Sequence, residues 1–129
     1  MIYAFRATDG ATLSCTLALG RARFAVFDLL DGRPGDVALR IAVLPERGVL
    51  AHDARRHGAW QGERAVPVAF PGGGLRLTLE VQDRMAQVCL DGVAVLRAPL
   101  VGPDAPAPIW LRVEGGMTAL ALAPAGGRP

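Results

Sequence analysis

Short runs in which apolar and polar residues alternate, each closed by turn residues, follow one another along nearly the whole chain, and no convincing amphipathic helix interrupts them. A period of two places alternate side chains on opposite faces of a strand, so each run has one face for a core and one for solvent or a ligand. Val37, Leu39, Ile41 and Val43 share one such face and Ala38, Arg40, Ala42 and Leu44 the other. Leu75, Leu77, Leu79 and Val81 alternate in the same way with Arg76, Thr78 and Glu80. Asp91-Gly92 joins Gln87-Val88-Cys89-Leu90 to Val93-Ala94-Val95-Leu96, and Asp-Gly between two apolar runs is the strongest short hairpin signal. Further strands are expected near 12–19, 23–29, 49–52, 65–70, 109–113 and 118–122. Some ten or eleven strands at this spacing predict an all-β sandwich of two antiparallel sheets. Val101 to Pro108 reads as a proline-rich loop, and no internal repeat is visible.

The length of 129 residues fits one domain with a real core, spanning 1–129 with the core at about 10–122 and a frayed tail at 123–129. Hydrophobic residues make up 51% and charged residues 20%, which excludes global disorder. A net charge of +2 does not call for nucleic acid or a membrane surface as partner. Every basic side chain other than histidine is Arg, and both Lys and Asn are absent, a bias that a GC-rich, bacterial-type genome produces. The amino terminus has neither a basic start nor an apolar run of signal-peptide length, and no stretch has the length of a membrane span, so a soluble, cytoplasmic protein is expected. Cys15 and Cys89 have no metal-type spacing, and as free thiols in strand-like runs they read as small packing residues.

One segment carries chemistry of its own. In Gly58-Ala59-Trp60-Gln61-Gly62-Glu63-Arg64 a tryptophan sits at a turn, with a carboxylate three residues on and a guanidinium beside it. An indole face is an amphipathic platform for the C–H face of a pyranose, and charge-assisted hydrogen bonds from Glu63 and an arginine suit sugar hydroxyls. A Glu63 carboxylate bridging Arg40 or Arg64 would orient such bonds.

In the order of these features the chain resembles the galectins. The strand over Asp36 to Leu44, the strand Val49 to His52, the tryptophan segment, the strand Leu75 to Val81, the strand ending in Asp91-Gly92, and Ile109 to Gly116 follow one another in galectin order. The resemblance implies a galectin-like, concanavalin-type jelly-roll sandwich and a concave sugar groove. Galectins carry a strand reading His-x-Asn-Pro-Arg whose alternate residues face that groove, and here the stretch is Arg40-Ile41-Ala42-Val43-Leu44. A polar triad is thus replaced by one guanidinium and two apolar groups. Sliding the match to Pro45 places Glu46 after it and recovers nothing. The position of a further family asparagine corresponds to His52. Trp60 and Glu63 match the family's Trp-Gly-x-Glu-x-Arg spacing, while Arg64 is one residue early and Ala65 stands where the arginine is expected. The site implied by the resemblance is Arg40, His52, Trp60, Glu63 and Arg64, with weak or altered sugar specificity because the groups that would read galactose are the ones replaced.

Other clusters have plainer explanations. Trp110 reads as core or rim packing. Arg55-Arg56-His57 reads as a solvated loop. His52, Asp53 and His57 are metal-ligating types without a fourth ligand at a recognisable spacing, so no metal or other cofactor is expected. Asp28, Asp31 and Asp36 around Gly32 and Gly35 read as turn chemistry. Gly72-Gly73-Gly74 opens a strand rather than a helix and is no phosphate cradle. Two readings stay open: a non-catalytic carbohydrate-binding module with a glycan ligand, and a galectin-fold assembly or interaction module, a homo-oligomer or the partner of another protein, that has lost sugar binding. An enzyme using Glu63 with His52 or Asp53 ranks behind both, since no nucleophile is accompanied by a base and an orienting group.

Overall fold

Alternation along the chain becomes two antiparallel sheets laid face to face. A computed structural model describes the backbone of residues 2–5, 10–18, 24–70, 74–101, 109–115 and 117–123, and the side chains of 10–17, 24–70, 74–101 and 111–115. The strands are β1 (Ile2–Phe5), β2 (Thr12–Ala18), β3 (Ala25–Leu30), β4 (Val37–Leu44), β5 (Val49–Arg56), β6 (Ala59–Trp60), β7 (Arg64–Pro67), β8 (Gly74–Gln82), β9 (Met85–Leu90), β10 (Val93–Pro99), β11 (Ile109–Gly115) and β12 (Met117–Ala123). One sheet has the order β1-β11-β3-β4-β5-β6, with β7 also pairing β5, and the other has the order β10-β9-β8-β2-β12. A 3-10 turn, Pro45–Arg47, is the only helical segment among the described residues.

The core lies where the two inner faces meet. Phe27 and Leu29 of β3, Leu39, Ile41 and Val43 of β4, Leu50 of β5 and Leu111 of β11 pack against Leu13 and Leu17 of β2, Leu77, Leu79 and Val81 of β8, and Val88 of β9. Each of these is essentially removed from water, and fully burying such a side chain contributes roughly 1.5–3 kcal/mol. Cys15 belongs to this cluster, and burial pushes its thiol up to about 12, which keeps it protonated and inert.

Register follows from tight turns. His57-Gly58, Asp83-Arg84 and Asp91-Gly92 each have positive φ at both residues, the backbone of the two-residue hairpin loop that matches strand twist. Asp91-Gly92 is the one visible in the sequence; Asp83-Arg84 holds two non-glycine residues in the same strained region.

Several expectations change. β1 and β6 are strands the periodicity does not reveal, the first being four residues long and the second two. β5 runs to Arg56 instead of ending at His52, so Arg55-Arg56 belong to a strand and only His57 sits in a turn. Asp28 is not a turn residue: it lies within β3 and is 1% exposed. The proline-rich loop beyond Val101, Gly72-Gly73, residues 124–129 and the side chain of Trp110 lie outside the described residues.

Candidate functional site

The outer face of β3, β4, β5 and β11 carries a row of alternating charge. Directly opposed residues of neighbouring strands share a face, and the register sets Arg112 of β11 opposite Asp28, Asp28 opposite Arg40, and Arg40 opposite Asp53. Asp28 receives Arg40 Nε at 2.7 Å and Arg40 Nη2 at 2.8 Å, a bidentate pair, and Arg112 Nη2 at 2.7 Å. Burial of this carboxylate is made tolerable by two guanidinium partners. Asp28 in turn raises the Arg40 pKa above its ordinary value, chiefly through the hydrogen bond.

Arg40 also organises the tryptophan. Its guanidinium carbon lies 4.5 Å from the centroid of the Trp60 ring, and that of Arg55, paired with Trp60 across β5 and β6, lies at 5.8 Å. Both distances fall within cation–π range. Trp60 remains 41% exposed, so the indole is held by cations without being enclosed.

The short segment between β6 and β7 is shaped by Asp53, whose Oδ1 accepts from the Ala54 N–H at 2.7 Å and the Gly62 N–H at 3.0 Å. Gln61 N–H adds a 2.9 Å bond to the Ala54 carbonyl. Gly62 has φ of 137°, a conformation that an L side chain resists. Glu63 is thereby set beside Trp60 at the rim. Its carboxylate is gripped by both Arg47 Nη groups at 3.2 Å. Arg40 and Arg64 are not its partners, contrary to the expectation from sequence: Arg40 is turned to Asp28, and the bridging guanidinium comes from the 3-10 turn after β4.

Arg40, Ala42, Ala51, His52, Asp53, Trp60 and Glu63 line a cleft of about 220 Å³, a space equal to about seven water molecules. Four of the five residues expected at the site therefore border one cavity. Arg64 does not line it; it stands opposite His52 on β7 and faces solvent. The register also separates His52 from Arg40. Asp53 is the residue opposite Arg40, whereas His52 opposes Ile41 and borders the cleft from the neighbouring position. Burial lowers the His52 pKa below 6.5, Arg64 lowers it further, and Asp53 opposes them. Among the described residues no group of three or more His, Cys, Asp or Glu side chains is placed to hold a metal ion.

Sequence reasoning missed Arg47, Asp53 as a shaping residue, and the Asp28–Arg112 pair. Pro45-Glu46-Arg47 did hold a signal, an arginine one position later than in the galectin strand motif. Asp28 also had one: it alternates with Phe27 and Leu29 as an outward residue of the same strand.

No family model matches the chain, and no curated protein matches it in sequence. Solved structures do. Sheep galectin-11, in a complex with glycerol, superposes with a TM-score of 0.78 at 16% identity, covering 95% of this chain and 96% of that one. The Caenorhabditis elegans galectin LEC-6 gives 0.78 at 14% identity, covering 95% and 89%, and chicken galectin 2 gives 0.71 at 17%, covering 92% of each. The sandwich is galectin-like over nearly its whole length, and it carries the cleft on the sheet that holds Trp60.

Proposed function

We propose that this protein binds carbohydrate without transforming it, in the cleft between Arg40 and Trp60, and with a preference other than that of a galactose-reading groove. The observation that carries the reading is the half-open indole: Trp60 is 41% exposed on the rim of a ring-sized cleft whose other polar groups are Arg40, Asp53, His52 and Glu63. An aromatic platform stays useful when its polar neighbours change, whereas hydroxyl discrimination depends on each donor and acceptor. Ala42 stands where the galectin motif has a polar group, and with Ala51 beside it the cleft has an apolar strip, which supports altered specificity. A non-catalytic role fits the commitments of the charged groups, since Glu63 is held by Arg47 and Arg40 by Asp28.

Binding is tested by titrating a panel of neutral saccharides, lactose-type disaccharides included, and following tryptophan fluorescence and heat. The expected result is saturable binding of at least one saccharide more tightly than lactose, abolished in Trp60→Ala with the far-ultraviolet spectrum unchanged. Lactose ranking first would refute the altered preference, and no saccharide binding at all would refute the reading. The same apolar strip of Ala42 and Ala51 supports a second reading, a groove for a protein side chain in assembly. Light scattering that shows sugar-independent oligomers, broken by Ala42→Glu, would select it.

A further inference from the structure

On the same sheet as the Trp60 cleft lies a second cavity of about 350 Å³, formed by the β3–β4 turn with β5 and β11. Three guanidinium side chains line it: Arg33 from the turn, Arg55 from β5 and Arg112 from β11. Asp36 is the single carboxylate in the lining, and it is already occupied. Its Oδ1 accepts from the His57 N–H at 2.8 Å, and its Oδ2 lies 3.5 Å from Arg56 Nη1, which also contacts Asp31 at 3.4 Å. The acids of the turn are thus answered by Arg56, which does not line the cavity. Arg112 directs Nη2 to Asp28, a carboxylate it shares with Arg40.

Arg55 supplies an independent observation. Its Nε is buried and, among the described residues, has no hydrogen-bond partner. A buried donor on a charged group is costly to leave unpaired, so the Arg55 side chain is held at this position at some expense. The planar guanidinium fork matches the geometry of carboxylate, sulfate and phosphate oxygens. Three guanidinium side chains around one cavity whose single carboxylate is already paired give it the charge an oxyanion needs. Arg55 also lies 5.8 Å from the Trp60 ring, so the cavity and the cleft are joined through one side chain.

We infer that the cavity lined by Arg33, Arg55 and Arg112 binds the sulfate or carboxylate of an acidic saccharide whose neighbouring ring sits at Trp60. The saccharide part rests on the proposed function; the oxyanion part rests on the arginines alone. A bridging ligand places its anionic group among the Arg33, Arg55 and Arg112 side chains that line the cavity while its sugar ring takes the exposed part of the indole.

The probes are a sulfated heparin-type disaccharide, its desulfated counterpart, and inorganic sulfate, titrated at low ionic strength, where exposed charge is least screened. Charge-assisted hydrogen bonds predict at least a roughly tenfold preference for the sulfated disaccharide. Arg33→Ala, at an exposed turn position, is expected to cut that ratio severalfold, and Arg97→Ala, which removes the same charge from the other sheet, to leave it unchanged. Equal losses in both variants would mean net-charge steering and overturn the site. Inorganic sulfate binding as tightly as the sulfated disaccharide would overturn the saccharide as its source. A desulfated probe that binds through Trp60 with no gain from sulfate would sink the oxyanion site and leave the cleft reading standing. Sulfate preference persisting in Trp60→Ala would support the oxyanion site while removing the cleft from it.

Discussion

Arg40 holds two neighbours at once. Its edge is fixed by Asp28 and its face by Trp60, so the orientation of the indole is set by an ion pair one strand further in. His52 answers to a different pair of neighbours and offers a direct check on the local electrostatics. Burial and the facing Arg64 favour its neutral form in the fold, so an NMR titration should give a midpoint below 6.5, and Arg64→Gln should move that midpoint upward. The linkage has a definite sign. With the folded pKa below the unfolded one, the unfolded chain binds the proton first, so stability from this group is full above 6.5 and is lost as pH falls through the His52 midpoint. A midpoint at or above 6.5 would contradict the placement of His52 beside Arg64. That Trp60 and Glu63 stand near one another was legible because their spacing is local, three positions apart at the end of β6, and both border the cleft. Arg47 was not, since its meeting with Glu63 depends on the 3-10 turn at Pro45 folding back over sixteen residues of chain.

Elements that pack two-sidedly announce themselves in sequence, and those that close an edge do not. β4 and β8 were legible because a core face and an outer face alternate over eight and nine residues. β6 has two residues, too few for any period, and exists because the His57-Gly58 turn returns the chain onto Arg55-Arg56. The end of β11 is equally silent in sequence and equally constrained. Gly115 has φ of 99°, and a Cβ there would collide with the Phe24 carbonyl oxygen, a backbone atom that has no rotamer by which to retreat. Gly115→Ala is therefore expected to cost about 2 kcal/mol or more, read as a lower urea midpoint at unchanged slope. At the other edge Asp53→Ala should release the Ala54 and Gly62 N–H groups and loosen the 61–63 segment. Faster amide exchange confined to that segment would show the loosening, and protection unchanged from the parent would deny Asp53 its shaping role.

Over the molecule as a whole, the charge row ties the site to the stability of the sandwich. Arg112, Asp28, Arg40 and Asp53 cross β11, β3, β4 and β5 in one line, and β5 carries the Trp60 segment as well as β7. Side-chain exposures of 34% for Arg40 and 37% for Arg112 against 2% for Asp28 place the cost of failure unevenly. The arginines can turn to water, but the carboxylate cannot. Removing Asp28 frees both arginines into partial solvent, whereas removing either arginine leaves the buried carboxylate with a single partner. Breaking a buried pair by truncating one member costs about 3 kcal/mol at the low end, and partial solvation of the arginines places both single changes near it. In a chain of this size about 3 kcal/mol corresponds to a fall of about 10 °C in the melting midpoint. Asp28→Ala and Arg40→Ala are each expected to show a fall of that order, and the double variant to fall by clearly less than their sum, because once Asp28 is gone Arg40 has little left to lose but its contact with Trp60. Additive losses would show that the two residues act separately and that the row does not couple the groove to the fold. The same coupling predicts that Arg40→His, which would give the cleft a galectin-type group, leaves Asp28 buried with Arg112 alone and lowers the melting midpoint as Arg40→Ala does.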